Sequence, residues 1–382
     1  MAVASAVGGP NVPQTEANPA GGNIPFRRAT TGRVSQLPAT GPNAMTAAQQ
    51  QVTVVVDGSG FIYGVDLDVQ GVAATNVANV VFTEDAPWNA LGTVNFGDVN
   101  GTLIDLDGFS LYLANQYGGW TNDQRQGSVD TQIFQLQPGN GAIGGSFRFH
   151  LYAPIALNRR SLLALVANQD RAQKYSLRSD INTLATVYTT QPTNAPNVTI
   201  RRHYDNYSVP ATQNANGAGQ QMQPPKFGVL HYLTQSVNPT TPAAGAQNHY
   251  LPRLGNTLRL LILVLRSNSL RSTAESTPPT QIQFLLGDTP IFVENPAYRR
   301  ILMYDRYGFD APAGVYVYEW ITDVVKVAGD EMGDDYQYTN GLVNAQFVIT
   351  YPAGWNATGA SLTVITDDLV IPGNIDIYAP DA

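Results

Sequence analysis

The sequence contains no cysteine in its 382 residues. This absence excludes a disulfide framework, a zinc site with cysteine ligands and a cysteine nucleophile. We therefore expect the stability of the protein to come from packing and from assembly with other subunits.

Charged residues are also scarce, at 13% of the chain, which is about half the usual share. The net charge is −8, whereas binding to duplex nucleic acid depends mainly on Lys and Arg contacts to phosphates. The composition therefore predicts no specific nucleic-acid partner. Interface cores are depleted in charge, so this composition fits a surface covered by neighbours, and it fits a neutral β-sandwich equally well.

Long hydrophobic runs and a secretion signal are missing as well. The longest apolar run, residues 260–265, has the length of a strand, whereas a membrane-spanning helix needs about 20 apolar residues. Residues 1–10 have neither a basic start nor a sustained apolar stretch. We expect a soluble protein that is made without a secretion signal.

Motifs for catalysis and metal binding are not found. The sequence has no HExxH pair, no GxSxG elbow and no GxxxxGK[ST] loop. None of the four histidines has a second histidine at a ligand spacing, and we expect all four on strands or at interfaces: His150, His203, His231 and His249. The sequence therefore predicts no enzyme, no catalytic residue, no cofactor and no metal site.

Three acidic segments could suggest metal or catalytic sites, but a structural interpretation is favoured for each. The segment from Asp105 to Gly108 begins like a calcium loop but lacks the later ligands, so Asp107-Gly108 is interpreted as a hairpin turn. Asp66 and Asp68 could form a carboxylate pair, but solvent-facing strand positions are favoured. A solvated loop is favoured over a weak cation site for the acidic residues near position 330, which are Asp330, Glu331, Asp334 and Asp335.

The chain is rich in turn-forming residues, with 35 Gly and 25 Pro. Between them lie short apolar or alternating segments that indicate strands. In 61–69, for example, Phe61, Tyr63 and Val65 are expected on one face. The predicted strands are 52–56, 61–69, 77–82, 103–106, 109–113, 132–136, 147–152, 175–181, 198–204, 228–233, 258–266, 281–286, 315–321, 345–351 and 360–366.

Two helices interrupt these strands. The first is expected after Asn158, with Leu162, Leu163, Leu165 and Val166 on one face. The second begins with the capping pair Asn295-Pro296, runs through Tyr298, Ile301, Leu302 and Tyr304, and ends near Gly308, and Ile301 is expected on its buried face. A short helical turn is also expected at 44–51.

The pattern divides the chain into four parts. Residues 1–50 form an extended N-terminal arm, 51–209 a first sandwich, 210–225 a linker and 226–382 a second sandwich. Strand patterns alone do not separate a jelly roll from an immunoglobulin-like sandwich, but about eight strands in each half favour the jelly roll. The predicted fold class is all-β: two tandem eight-stranded jelly-roll sandwiches, a double jelly roll, with short helices inserted.

The N-terminal arm has its own composition. It holds six prolines and four charged residues, Glu16, Arg27, Arg28 and Arg33, so its net charge is +2. Such a segment cannot bury enough apolar surface to order by itself. It is either a tail without a role or a segment that orders on a neighbour or on a membrane surface.

Two segments resemble the double jelly-roll major capsid proteins of tectiviruses, the tailless bacteriophages with an internal membrane. The first is FRFHLYAPIALNRRSLLALVANQDRAQKYSLRSDI, residues 147–181, and the second is NPAYRRILMYDRYGFDAPAGVYVYEW, residues 295–320. The order of elements, the linker and the polar arm match over roughly the whole chain.

The resemblance implies a homotrimer in which six upright jelly rolls make a pseudo-hexagonal tile of an icosahedral shell. It implies a virion location, synthesis in the host cytoplasm, and neighbouring trimers and vertex proteins as partners. The arm would lie beneath the shell, where Arg27, Arg28 and Arg33 would meet lipid of the internal membrane.

Two alternatives stay open at this point. A carbohydrate-binding or carbohydrate-active β-sandwich would share the aromatic-rich composition, with 19 Tyr, 13 Phe and 4 Trp. A minor virion vertex or spike protein would share the fold class.

Overall fold

A computed structural model describes residues 24–58, 60–120, 134–157, 162–170, 174–215, 217–239, 244–320, 336–353, 355 and 359–373. The expected helix cap at Asn158 and the expected solvated loop at Asp330, Glu331, Asp334 and Asp335 lie outside these ranges. Within them, no helix is long and apolar enough to cross a membrane.

The described part of the chain is built mainly from strands. Those of the first half are β1 Gly32–Ala44, β2 Thr53–Val55, β3 Gly60–Val72, β4 Asn76–Phe82, β5 Leu91–Gly97, β6 Thr102–Leu106, β7 Gln135–Leu136, β8 Gly139–Gly141, β9 Phe147–Pro154, β10 Val166–Asn168, β11 Ser176–Ile181, β12 Tyr188–Thr190 and β13 Asn197–Tyr207. Those of the second half are β14 Leu230–Pro239, β15 Gly245–Tyr250, β16 Thr257–Arg266, β17 Gln281–Leu286, β18 Thr289–Glu294, β19 Val315–Glu319, β20 Gln337–Tyr338, β21 Ala345–Tyr351 and β22 Ser361–Val370.

The helices are short. They are α1 Phe26–Ala29, α2 Gly108–Gly118, α3 Leu184–Val187, α4 Arg271–Ser276 and α5 Pro296–Tyr307, with a 3₁₀ turn at Trp88–Ala90.

The strands form two sandwiches of the same topology. In the first, the sheets run β1-β13-β3-β9 and β2-β11-β5-β6; in the second, they run β14-β22-β16-β19 and β15-β21-β17-β18. When the eight main strands of each sandwich are numbered along the chain, both have the order 1-8-3-6 in one sheet and 2-7-4-5 in the other. This is the jelly-roll arrangement, and the predicted double jelly roll is confirmed.

Each sandwich has its core between its two sheets. The core of the second contains alternate residues of the central strands, such as Leu261, Leu263 and Phe347, all fully buried. The core of the first includes Val65, Leu67 and Phe149, and it continues beyond the first sandwich into the contact with the second. The two sandwiches therefore share apolar contacts.

Strand β1 lies where the sequence predicted an extended arm. It pairs with β13 along most of its length, so residues 32–44 are the first strand of the first sandwich. Only one large apolar residue of β1, Leu37, points into the core, Val34 is exposed, and most of the other residues are Gly, Pro, Ala or polar. An edge strand of this composition resembles a linker in sequence, because its stability comes from pairing with a distant strand.

A buried arginine fixes β1 to the sandwich. Arg202 on β13 is fully buried and donates hydrogen bonds to Pro38 O (3.3 Å), Thr40 Oγ1 (2.7 Å) and Ser179 Oγ (2.6 Å). Burial lowers its pKa to about 10. The expected helical turn at 44–51 is wrong, because Ala44 ends the strand and no helix follows it up to residue 51.

Helix α2 replaces a predicted strand at 109–113 and a predicted hairpin turn at Asp107-Gly108. Asp107 is its N-cap, with its carboxylate accepting from Ser110 N at 2.7 Å, and Gly119 ends it in a left-handed conformation. The helix is buried on nearly all sides, so its sequence shows no polar face. An apolar segment of this kind has no periodicity that separates helix from strand.

The predicted helix after Asn158 is also wrong in the described residues. Leu162 and Ala164 have left-handed backbone angles, with φ of 54° and 66°, and β10 begins at Val166. Leu162 and Leu165 pack in one apolar cluster and Leu163 in another. The four apolar residues thus point in different directions around a turn.

Helix α5 has the predicted bounds, from N-cap Asn295 to Gly308, but its predicted buried face is wrong. Arg299 and Met303 are buried, whereas Tyr298, Ile301 and Tyr304 are 54%, 58% and 52% exposed. Arg299 is buried because its Nε donates to Val317 O at 2.7 Å and its guanidinium lies over the Tyr318 ring.

Candidate functional site

The contact between the two sandwiches is the first candidate site, and we call it the closed junction. On its first-sandwich side are α2 and β6. On its second-sandwich side is the outer face of the sheet β14-β22-β16-β19, meaning the face that points away from that sandwich's own core. The apolar residues of this outer face, Leu233, Leu260, Ile262, Val264, Val315, Val317 and Ile365, belong to the core of the first sandwich.

A backbone pairing crosses the closed junction. Strand β14 pairs in parallel with β6, with Leu233 opposite Ile104 and Thr234 opposite Asp105. The two four-stranded half-sheets therefore form one sheet through both sandwiches, with β20, which pairs with β16, as its ninth strand. Because strand pairing satisfies backbone donors and acceptors on both sides, it fixes the relative position of the sandwiches.

A buried ionic cluster lies in the closed junction. Asp367 on β22 accepts from Arg259 Nη1 at 2.6 Å and lies 3.0 Å from His231 Nε2, and all three side chains are almost completely buried. Arg259 also donates to the carbonyl oxygen of Gly118, the last residue of α2, at 2.8 Å. This last bond joins the second sandwich to the first.

Arg259 reaches this position because of a β-bulge. The pairing of β16 with β22 places Leu258 opposite Asp368 and Leu260 opposite Asp367, so Arg259 is an extra residue. A bulge re-aims a side chain, and here it directs a long cation toward the junction. The Trp120 ring covers the guanidinium, with 4.8 Å from its centroid to Arg259 Cζ.

The pKa values of the adjacent aspartates Asp367 and Asp368 are shifted in opposite directions. Burial alone would raise the pKa of Asp367, but attraction to Arg259 and His231 and their hydrogen bonds lower it below 3.8. For Asp368, burial is the dominant influence, and it raises the pKa. The Asp367 carboxylate is thus kept charged by the junction.

A second ionic cluster joins the sandwiches at another point. Asp85 of the first sandwich accepts from Arg271 Nε at 2.5 Å and from Arg266 Nη2 at 2.8 Å. Glu84 accepts from the backbone nitrogens of Arg271 (2.9 Å) and Ser272 (3.2 Å), the first turn of α4. Burial would raise the pKa of Asp85, but the two arginines outweigh it and lower the pKa below 3.8.

The second candidate site is the exposed surface, which differs between the sandwiches. On the first, the outer face of the sheet β1-β13-β3-β9 carries paired charges. Asp68 accepts from Arg148 Nε and from Arg201 Nη1, both at 3.0 Å, and Asp66 lies 3.0 Å from His150 Nε2. The prediction that Asp66 and Asp68 share an outward face is confirmed, and both are partly shielded by basic partners.

The alternation expected in this strand breaks at Tyr63. Asp205 on β13 is opposite Gly64 and Asn206 is opposite Ile62, so Tyr63 is an extra residue in β3. Phe61 and Tyr63 therefore pack in a cluster separate from that of Val65.

On the second sandwich, an apolar surface is exposed around α5 and β18, beside the exposed charges of Asp305 and Arg306 on the helix. It comprises Tyr298, Ile301 and Tyr304 of the helix, together with Ile291 and Val293 of the strand, which are 37% and 52% exposed. Strand β18 is at the end of its sheet and pairs with β17. An exposed apolar edge strand is a template for pairing with another chain.

The predicted basic residues lie on two elements. Arg27 and Arg28 are exposed on α1, which is held to the sandwich by the buried Phe26 ring, 5.0 Å from the Phe61 ring. Arg33 is exposed on β1. All four histidines are on strands, as expected. In the described ranges, no group of three or more His, Asp or Glu could hold a metal ion.

The junction residues were not predicted from the sequence. Asp85 and Asp367 each lie in an acidic pair, Arg259 lies alone among apolar residues, and their ionic partners are far away in the chain. A single charge inside an apolar strand was the available signal. Charged residues are almost never fully buried unless they are paired, so Arg259 in the run 257–266 could have been flagged.

No protein-family model and no curated protein matches the sequence. Similar solved structures exist. One from Sulfolobus turreted icosahedral virus has a TM-score of 0.63 at 13% identity, over 89% of this chain and 91% of that chain. A chain of the PBCV-1 virus capsid gives 0.61 at 14% identity, over 89% and 93%. The Faustovirus major capsid protein gives 0.53 at 8% identity, over 89% and 90%. The chain has the double jelly-roll fold of these viral capsid proteins over nearly its whole length.

Proposed function

We propose that this chain is the major capsid protein of an icosahedral virus. The observation that carries the proposal is the pairing of two jelly rolls of identical strand order in one chain, with a similar arrangement in viral capsid structures over about nine tenths of both chains. This role is structural and requires no cofactor. The subunit acts by presenting surfaces to its neighbours.

The proposed assembly unit is a homotrimer whose six sandwiches form a pseudo-hexagonal tile. Its support is that one chain supplies two sandwiches with the same topology, joined by a parallel strand pairing that a further copy could repeat. Such head-to-tail contacts generate closed rings when the rotation closes. Neighbouring trimers and vertex proteins are the further proposed partners, in a virion shell whose subunits are made in the host cytoplasm.

Contact with an internal membrane, as in tailless phages of the tectivirus kind, is a separate part of the proposal. Arg27 and Arg28 support it because both are exposed on a turn anchored by Phe26, and basic residues near an anionic surface contribute about 1 kcal/mol each. A triple change of Arg27, Arg28 and Arg33 to Ser should reduce co-sedimentation with phosphatidylglycerol vesicles. Undiminished sedimentation would remove the arm from the membrane.

The mass of the purified chain in solution tests the capsid proposal. Light scattering at neutral pH should give a particle of about three times 41.1 kDa, and electron microscopy should show tiles or shells. A monomer at all concentrations would contradict the proposal and make a glycan-binding screen the next step, for the carbohydrate-binding alternative. A trimer present in a few copies per virion would indicate a vertex or spike protein instead.

A further inference from the structure

The two sandwiches can be matched residue by residue, because their irregularities fall at the same places. The pairing of β5 with β6 skips Leu103, and the pairing of β17 with β18 skips Ile291. In each sandwich this fifth strand leads directly into a helix, capped by Asp107 in one and by Asn295 in the other.

The third strands of the two sandwiches also have a bulge at the same place. The bulge at Tyr63 in β3 corresponds to the bulge at Arg259 in β16, since each faces the eighth strand of its sandwich. The residue after each bulge is opposite an aspartate of the eighth strand, which is Asp205 in the first sandwich and Asp367 in the second. On the first strands, Val34 is opposite Asp205 and Leu233 is opposite Asp367. Val34 of β1 therefore corresponds to Leu233 of β14.

Within the chain, the fifth strand of the first sandwich pairs with the first strand of the second. This is the β6–β14 pairing, at Ile104 with Leu233. If the roles of the two sandwiches are exchanged, the equivalent strands are β18, the fifth strand of the second sandwich, and β1, the first strand of the first sandwich. In the described part of the chain, β18 pairs with β17 and β1 with β13, and each stands at the end of its sheet.

Two apolar side chains at these open ends are uncovered. Val34 is 70% exposed, whereas its counterpart Leu233 is fully buried. Ile301 on α5 is 58% exposed, whereas Leu113, at the same distance from the cap on α2, is fully buried. Each open position thus has a counterpart that the closed junction covers.

We infer that β18 of one copy pairs in parallel with β1 of a second copy and repeats the β6–β14 pairing. The matched registers place Phe292 beside Val34 of the second copy, and Val293 beside its Ser35. The exposed face of α5 then packs against the outer face of β13 and β3 of the second copy, as α2 packs against β22 and β16. This inference rests on the proposed function and names the contact surfaces of the proposed ring.

The occupant is a second copy because the two edges match each other. The exposed surface at β18 and α5 presents apolar side chains and tyrosines that can donate hydrogen bonds, beside the exposed Asp305 and Arg306 of the helix. The surface at β1 offers a depression of about 180 Å³ lined in part by Arg33, Val34, Tyr63 and Asp205. This depression occupies the place of the Arg259–Asp367 cluster at the closed junction, which receives the end of α2. Tyrosine and arginine are both enriched in interfaces between proteins.

Engineered cysteines test the pairing, since the chain has none of its own. Neighbouring strands lie about 4.8 Å apart, which is within the Cα separation of a disulfide. The double variant Ser35→Cys with Val293→Cys should, on oxidation, give a covalent ring that runs as a trimer in denaturing gels. Because the contact is head-to-tail, a mixture of the two single variants should stop at a linked pair.

The matched control is Val77→Cys combined with Val293→Cys, because Val77 is 82% exposed on β4, away from the proposed surface. This control should remain a monomer in the gel. A second variant, Val34→Asp, should raise the dissociation constant of the oligomer at least about tenfold, whereas Val77→Asp should not.

The outcomes separate this inference from the proposed function. If the wild-type chain is a trimer but the variant with cysteines at positions 35 and 293 crosslinks no better than the control, the pairing is overturned and the capsid proposal stays intact. A wild-type chain that stays monomeric at all concentrations would overturn both.

Discussion

The two sandwiches have equivalent outer faces with the same strand order but different side chains. The outer face of the second sandwich lies in the closed junction, whereas that of the first sandwich is exposed. At the closed junction, this face carries Leu260, Ile262 and Val264, and the Arg259–Asp367 cluster beside them is buried. On the first sandwich, the central strand carries Asp66 and Asp68 in paired ionic contacts that stay partly exposed.

The difference follows from when each surface is covered. The closed junction forms as the chain folds, so it can be apolar like a core, as in permanent interfaces. The exposed face is in contact with water in the single subunit, and paired charges keep it soluble. The same topology serves once as an internal contact and, on the function proposed above, once as an assembly surface.

The largest expected effect comes from breaking the buried cluster. Arg259→Met leaves the buried Asp367 carboxylate without its arginine partner, and removing one partner of a buried ion pair costs about 3–5 kcal/mol of unfolding free energy. Denaturant unfolding at fixed protein concentration measures it. The control is Arg201→Met on the exposed face, where loss of an exposed pair costs about 0–1 kcal/mol. Equal losses in the two variants would contradict the comparison.

Substitutions at the equivalent positions Leu233 and Val34 should differ nearly as much in their effect on the unfolding free energy. Leu233→Ala removes a fully buried side chain and should cost about 2–5 kcal/mol, because of lost burial and a residual cavity. Val34→Ala, at the equivalent exposed position, should change the unfolding free energy of the dissociated subunit by less than about 0.5 kcal/mol. Thermal and urea unfolding of dilute protein would show both. A costly Val34→Ala would mean that β1 is covered within one chain.

Acid should weaken the closed junction through Asp85. Its pKa in the folded protein lies below that of the unfolded chain, so its stabilisation is complete above about pH 4 and is lost as the pH falls through the lowered value. Asp85→Asn should cost about 1–3 kcal/mol at neutral pH and flatten the decline below pH 4. Unfolding free energies measured from pH 6 to pH 2 test this. An unchanged slope in the variant would show that Asp85 carries none of the acid sensitivity.

The smallest expected effect is that of Ile301→Asp. The sequence placed Ile301 on the buried face of α5, which would make this change cost several kcal/mol. The side chain is 58% exposed, so we expect a change within about 0.5 kcal/mol in the dissociated subunit. Thermal unfolding of the isolated subunit measures it. A large loss of stability there would mean that the helix face is covered within the chain.

Much of the strand pattern could be predicted, because alternation and turn residues are local signals. Strands 281–286 and 345–351 and helix α5 have the predicted bounds. The errors have two physical causes. Helix α2 has no polar face because both sandwiches cover it, and β1 is poor in apolar residues because one partner strand holds it.

The candidate surfaces were less accessible to sequence reasoning. The α5 pattern of Tyr298, Ile301 and Tyr304 has the period of a buried face, and the sequence cannot say whether the cover comes from the same chain. Arg299, on the other side, is buried through a carbonyl of β19 that lies 18 residues further along the chain.

The sequence by itself determined the all-β class, two similar halves and the absence of cysteine chemistry, since composition and local periodicity carry this information. Only the tertiary structure decided which strands join the two sandwiches, which charges are buried between them and which apolar residues are left uncovered. These depend on contacts between residues more than a hundred positions apart, such as Gly118 with Arg259 and Asp85 with Arg266, and on a backbone register that no local pattern specifies.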